Sequence, residues 1–340
     1  MAKTLLRTKH AVEATAHALR HLEGALPHEI VWRSGPVALR RYPGQGASLA
    51  STPLVLVSPF INRFRVVDLQ AGISLVEGLV EQGITVWLVD WGDPRPIDRG
   101  IDFEDYVLRF LPRAVEATGA GQVDLLGYCL GGLLATLYTS RFPERVRRLV
   151  TLHAPIDFSR DEAHMDLLRR WVEPSWFPVE RLTEAFGNMP GALINQGFVW
   201  QKPVESLQKP WRTWERMDDA GFARFFAVLE SWNNDQVDVP GAAYRRLIKD
   251  LYRDNKLARG EFALRGEPVD LRQIACPLLV VTAAHDTTCP PPAATALLEL
   301  VSTPAAARRH LQVKGGHVAT VAGPKARATL HTPIAEWLRA

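Results

Sequence analysis

Three residues, widely spaced along a 340-residue chain, carry the side chains needed for acyl transfer through a thiol. Cys129 lies at the centre of VDLLGYCLGGLLA (123–135), Asp286 in AAHDTTCPP and His317 in VKGGHVAT. A thiolate is a strong nucleophile, an imidazole can take its proton, and a carboxylate can hold the imidazole's tautomer and orientation. Around Cys129 the pattern Gly-x-Cys-x-Gly-Gly follows an apolar run and precedes a run of small and apolar residues. This fits a strand turning sharply into a helix with the nucleophile at the turn, a place usually held by serine. Gly127, Gly131 and Gly132 would let neighbouring backbone approach the turn. A helix starting at Leu130 would aim its N-terminus at the sulfur and favour the thiolate. The developing oxyanion needs two donors. The backbone N–H of Leu130 is one, and the other is expected in SPFINRF, at Phe60 or Ile61.

Other residues of these types read differently. A buried cysteine is commonly just a small hydrophobe, but the glycines and the downstream Asp and His set Cys129 apart. Cys276 precedes a strand proline and reads as structural, and Cys289 reads as a bystander near Asp286. His285 adjoins Asp286, and adjacent strand residues face opposite ways. His331, near a helix start, reads as solvated or capping. Asp68 and Asp90 precede the elbow and break the order nucleophile, acid, histidine.

These residues must be positioned by an alternating scaffold. Apolar runs at 53–60, 84–92, 123–128, 146–155, 276–286 and 309–317 read as strands. Helical patterns at 69–83, 101–119, 130–143, 291–301 and 332–339 fall between and after them. Such alternation predicts a mainly parallel sheet with helices on both faces. Cys129, Asp286 and His317 then fall at the C-terminal ends of strands, in the chain order of the α/β-hydrolase fold. The rhythm stops over 156–255, where six of the ten tryptophans lie, Trp171, Trp176, Trp200, Trp211, Trp214 and Trp232. This segment reads as an inserted, mostly helical cap, its tryptophans mainly core and secondarily a substrate wall. The expected organisation is therefore a lead-in at 1–50, an α/β-hydrolase core at 51–155 and 256–340, and the cap between. In the lead-in, 4–22 reads as an amphipathic helix packed on the domain's own flank or facing a partner, and 32–50 as irregular or β-like.

Bulk properties exclude several classes. Forty basic and 37 acidic residues leave a formal charge of +3, too balanced to argue for nucleic acid. Three cysteines do not suggest a disulfide framework and fit a reducing cytoplasm. The first residues lack a continuous apolar stretch, so no secretory signal is expected, and no run approaches a transmembrane length.

The motif GYCLGG alone resembles that of dienelactone hydrolases, but in that compact family acid and histidine follow the cysteine closely, whereas here the whole cap intervenes. The rest of the chain resembles polyhydroxyalkanoate synthases over roughly 53–325. SPFINRFRVVDLQA, VWLVDWGDP, NMPGALINQGFVWQ, SWNNDQVDVPG, YRDNKL, VDLRQIACPLLVVTAAHD and VKGGHVAT each match blocks of that family. The length resembles the short catalytic subunit of the two-subunit, class III type. Two departures stand out: Thr287 follows Asp286 where the family often has histidine, and Tyr128 and Leu130 are hydrolase-like.

The resemblance implies a synthase that polymerises 3-hydroxyacyl-coenzyme A, short-chain units such as 3-hydroxybutyryl-coenzyme A, through an acyl-Cys129 intermediate with release of coenzyme A. It implies no metal or other cofactor, a homodimer, a companion synthase subunit, and a cytoplasmic place, at the surface of polyester granules. The alternative is a cysteine-nucleophile hydrolase: an acyl-coenzyme A thioesterase, a polyester depolymerase or a dienelactone hydrolase-like enzyme.

Overall fold

Runs such as LVLV and VDLLGY are apolar on every position because their strands are covered on both faces. The computed structural model describes residues 2–19, 24–45, 52–160, 172–173, 176–200 and 203–340. Its main sheet has eight strands: β1 (Glu29–Ser34), β2 (Val37–Tyr42), β3 (Leu54–Val57), β4 (Val86–Asp90), β5 (Val123–Tyr128), β6 (Val146–Leu152), β7 (Leu278–Ala283) and β8 (Arg308–Val313). Their order is β1-β2-β4-β3-β5-β6-β7-β8. β1 and β2 form an antiparallel hairpin, β2 pairs antiparallel with β4, and all other pairings are parallel. Every residue of β3, β5 and β7 is buried, whereas the edge strands β1 and β8 are half exposed and carry Glu, Arg and His. Polar edges of this kind discourage pairing with another chain. The hairpin of β1 and β2 continues the core sheet, so sheet structure begins well before residue 51.

Several helices are shorter or more broken than the hydrophobic spacing suggests. In 69–83 only Leu75–Val80 is helical, because Ser74 caps it: its Oγ accepts the Glu77 N–H at 3.0 Å. The stretch 101–119 becomes helical at Phe103 and includes a π turn at Tyr106–Phe110 before Leu111–Ala117. Pro112 has no N–H to give the preceding turn, and the Leu111 N–H reaches back to the Tyr106 carbonyl instead. The stretch 291–301 divides into Pro291–Thr295 and Leu297–Leu300.

Between β6 and β7 the cap segment contains helices Val179–Phe186, Gly191–Trp200, Pro203–Arg216, Ala220–Asn234 and Gly241–Arg246 and a π turn at Leu247–Arg253. It also holds a two-residue ladder, Asn188–Met189 against Val239–Pro240. The N-terminal helix Ala2–Ala18 packs on helix Ala220–Asn234, with Arg7 donating to the Glu215 carbonyl at 2.9 Å. Polar contacts fasten the cap to the core. Asp235 receives Arg65 at 2.5 Å and Arg63 at 2.8 Å, and the Trp232 indole N–H donates to the Arg63 carbonyl at 3.1 Å.

Register sets the site. Tyr128 pairs with Leu152, Leu152 with Val281, and Ala283 with Val313. The C-terminal ends of β5 to β8 therefore lie level, and the loops leaving them share one crevice.

Candidate active site

Cys129 joins β5 to helix Leu130–Arg141 with φ 54° and ψ −127°, a conformation rare for a residue with a Cβ. Its N–H is held by the Leu152 carbonyl at 2.8 Å, so the strained turn is locked to β6. The crossing behind it has no room for side chains. A Cβ on Gly127 would lie 2.4 Å from the Gly131 carbonyl oxygen, and one on Gly131 would lie 2.1 Å from that of Val57. The same closeness brings the helix start at Leu130 and Gly131 against the loop after β3 that carries Phe60 and Ile61.

Asp286 ends the β7 loop and is almost wholly buried. One carboxylate oxygen accepts the N–H groups of Thr288 and Cys289, each at 2.9 Å. The other meets Nδ1 of His317 at 2.6 Å. Burial raises the Asp286 pKa, but the His317 charge and hydrogen bond, with the Cys289 N–H, outweigh it, and the carboxyl titrates below its ordinary range. The Cys129 side chain also hydrogen-bonds the His317 imidazole. Burial disfavours imidazolium, yet the Cys129 and Asp286 charges overcome this and push the His317 pKa up to about 10. Cys129, His317 and Asp286 thus come together from three loops, an arrangement suited to a thiol whose proton an imidazole takes while a carboxylate steadies the ring.

The sulfur opens on an apolar cavity of about 440 Å³ between core and cap. Cys129, Leu130 and Ile61 form its core side, and Met189, Ile194, Trp200, Tyr244 and Tyr252 are among its cap side. The Phe60 ring turns away and packs against Phe103 and Tyr106.

The remaining candidates have structural places. Asp68 accepts from Ser74, Tyr42 and the N–H groups of Ala25 and Leu26, and Asp90 binds Arg40 at 2.8 Å. His285 is exposed. Burial pushes the Cys276 thiol up to about 11. Cys289 lines the cavity beside Cys129, its thiol pushed well up by burial and by the Asp286 and Cys129 charges. His331 holds the N-cap position of helix Thr332–Arg339, but its side chain makes no cap hydrogen bond and is not solvated. It is fully buried, and its Nε2 donates to the Val321 carbonyl at 2.8 Å. The cap tryptophans are mostly not core: Trp176, Trp200 and Trp211 are more than half exposed, and among the described ones only Trp232 is buried; Trp176 and Trp200 line the cavity as the substrate-wall reading expected, and Arg7 lies over the Trp214 ring. Trp171 lies outside the described residues.

Residues 53–324 match the family model described as alpha/beta hydrolase fold. A poly(3-hydroxyalkanoate) polymerase subunit PhaC from Allochromatium vinosum is 34% identical over 322 residues, covering 93% of this chain and 89% of that protein. The chain belongs to the poly(3-hydroxyalkanoate) polymerase family. A polymerase subunit PhaC from Haloferax mediterranei is 31% identical over 319 residues, and the alignment covers 92% of this chain and 64% of that protein. Among solved structures, a thermophilic esterase from Thermogutta terrifontis superposes with a TM-score of 0.54 at 17% identity, covering 92% of this chain and 98% of that one, a likeness of fold.

Two residues of this candidate site were not legible as members of it. His153, at the end of β6, and Tyr128, beside Cys129, both donate to the main-chain carbonyl of His317, at 3.0 and 3.3 Å. The one sequence signal was position, since each stands at the C-terminal end of a core strand. Among the described residues, His153, Asp286 and His317 form a trio whose ligand atoms lie within 4.8 Å of one another, close enough for a metal ion. Those atoms are already committed to hydrogen bonds: His153 to the His317 carbonyl and Thr320, Asp286 to His317.

Proposed function

We propose that this member of the polymerase family links 3-hydroxyacyl units, short-chain ones such as 3-hydroxybutyryl, from their coenzyme A thioesters into polyester, through an acyl intermediate on Cys129. The observation that carries this reading is a thiol, backed by the His317–Asp286 pair, at the floor of a cap-covered apolar cavity. Cys129 attacks the thioester carbonyl, and the tetrahedral oxyanion takes hydrogen bonds from the Leu130 N–H and from an N–H of the loop at Phe60 or Ile61. The coenzyme A thiolate leaves with the proton held on His317. Thioester is exchanged for thioester, so the acyl group keeps its activation. His317 then takes the proton of a 3-hydroxyl, whose oxygen attacks the acyl-Cys129 carbonyl; an ester forms and the Cys129 thiolate is released. A serine would hold the unit as an oxygen ester, a poorer donor to an alcohol. The route uses no cofactor, the coenzyme A thioester being the substrate, and the apolar cavity keeps water from the acyl-enzyme.

A homodimer, a companion subunit and a place on the polyester granule are further parts of the reading. Exposed apolar side chains on the N-terminal helix and the cap, such as Leu5, Val12, Leu207 and Trp211, support association through that side. Among the described residues no helix is long and apolar enough to cross a membrane.

The test is product analysis after incubating the full chain with 3-hydroxybutyryl-coenzyme A, with and without a companion subunit. Ester oligomers that vanish in Cys129→Ser are expected. Monomeric hydroxy acid alone, under both conditions, would replace this reading with a thioesterase.

A further inference from the structure

His153 has no part in the chemistry above, yet its side chain is wholly buried beside it. Its own N–H is held by the Val281 carbonyl at 2.9 Å, in line with the β6–β7 pairing. Its φ is 50°, in the left-handed region that costs a residue with a Cβ conformational energy. From there Nδ1–H donates to the main-chain carbonyl of His317 at 3.0 Å, and Nε2 accepts from the Thr320 hydroxyl at 3.3 Å. The Tyr128 hydroxyl donates to the same carbonyl at 3.3 Å. The three rings are neighbours, with centroids 5.4 Å apart for His153 and His317 and 5.2 Å for Tyr128 and His317.

His317 needs such support. It follows Gly315 and Gly316, and Gly315 has φ 142°, so the chain leading to it has little stiffness of its own. Asp286 orients the ring but does not hold the backbone from which the ring projects. We propose that His153, with Tyr128, is a positioning residue that pins the backbone of His317 and so keeps its imidazole on the Cys129 sulfur. This rests on the reading of Cys129 and His317 as the working pair. Burial first, and then the His317 charge, push the His153 pKa down to about 3, so it holds its donor as a neutral ring and does not compete as a base.

The side-chain geometry supplies the test. Asparagine at 153 places its amide nitrogen near the Nδ1 position and tolerates positive φ. Glutamine reaches instead toward the Nε2 position, and leucine has no donor. With 3-hydroxybutyryl-coenzyme A, His153→Asn is expected to stay within about threefold of the parent, whereas His153→Gln and His153→Leu lose about 10- to 100-fold in kcat with little change in KM. Alkylation of Cys129 by iodoacetamide, mapped on its peptide by mass spectrometry, should slow in the same order, which a purely packing role would not produce. Tyr128→Phe should give a smaller loss that deepens when combined with His153→Gln. Equal rates for Asn and Gln would overturn the proposal, and that comparison decides even if the Leu variant does not fold. If the parent's Cys129 shows no selective alkylation, or turnover survives Cys129→Ser, the working-pair reading falls and the positioning role with it.

Discussion

Sulfur at the elbow changes what its neighbours must do. With a neutral nucleophile, burial, which favours the uncharged ring, would be opposed by Asp286 alone. Here the charges of Cys129 and Asp286 hold its pKa near about 10, against an ordinary 6.5. A raised folded-state pKa stabilises the fold fully below pH 6.5, and this contribution is lost as pH rises through about 10. Cys129→Ala removes one of those charges. The His317 pKa, followed by NMR titration, should therefore fall in that variant. An unchanged His317 pKa in that variant would contradict the assignment. Asp286→Asn keeps the shape but loses the anion and permits the wrong imidazole tautomer, and kcat should drop by about 10⁴-fold. Cys129, Asp286 and His317 were legible because their side-chain types and their order speak for themselves. His153 was not, since a neutral histidine donating to a carbonyl depends on a register that only the folded sheet supplies.

At the scale of elements, the elbow depends on how closely helix Leu130–Arg141 can press against β3 and β5. The clash that would follow Gly131→Ala is with the Val57 and Ser58 carbonyl oxygens, at 2.1 and 2.6 Å, and backbone cannot swing aside as a side chain can. Gly131→Ala is expected to destabilise by about 1–3 kcal/mol in denaturant unfolding and to displace the Leu130 N–H. Gly121→Ala is the control: nothing lies within 4 Å of its added methyl, and the change should stay within about 0.5 kcal/mol. The elbow glycines could be anticipated because an apolar strand and a small-residue helix meeting at a nucleophile demand them. Helix ends were less visible. The caps and breaks at Ser74 and Pro112 override the apolar spacing around them, and the two-residue ladder of Asn188–Met189 with Val239–Pro240 is too short for any period to reveal.

Over the whole molecule, buried neutral groups set acid tolerance while, in the proposed mechanism, the cap sets the fate of the acyl-enzyme. Burial lowers the His331 pKa to about 4. The unfolded chain therefore takes up a proton there first as pH falls below 6.5, and stability declines by up to about 1.4 kcal/mol per pH unit across that window. His331→Gln can retain the bond to the Val321 carbonyl without the charge, and its melting temperature should fall less steeply from pH 6.5 to 4. The cap was visible in the sequence only as an interruption of the strand–helix rhythm, because what fastens it is long-range: Asp235 bridging Arg63 and Arg65 across the boundary. Arg65 is buried with only 1% of its side chain exposed, while Asp235 is 32% exposed, so the pair's worth lies in holding the cap down more than in its own energy. Asp235→Ala leaves the Arg65 guanidinium without this carboxylate at the seam and should loosen the cap there. In the proposed mechanism both transfer and hydrolysis use Cys129, His317 and Asp286, none of which the substitution touches; what changes is the access of water to the acyl-thioester. With 3-hydroxybutyryl-coenzyme A, coenzyme A release should stay within about threefold of the parent while the share of free hydroxy acid rises severalfold over polymer, alongside faster limited proteolysis within the cap. An unchanged product ratio in a variant with demonstrably faster cap cleavage would mean that water is excluded by something other than closure of the cap.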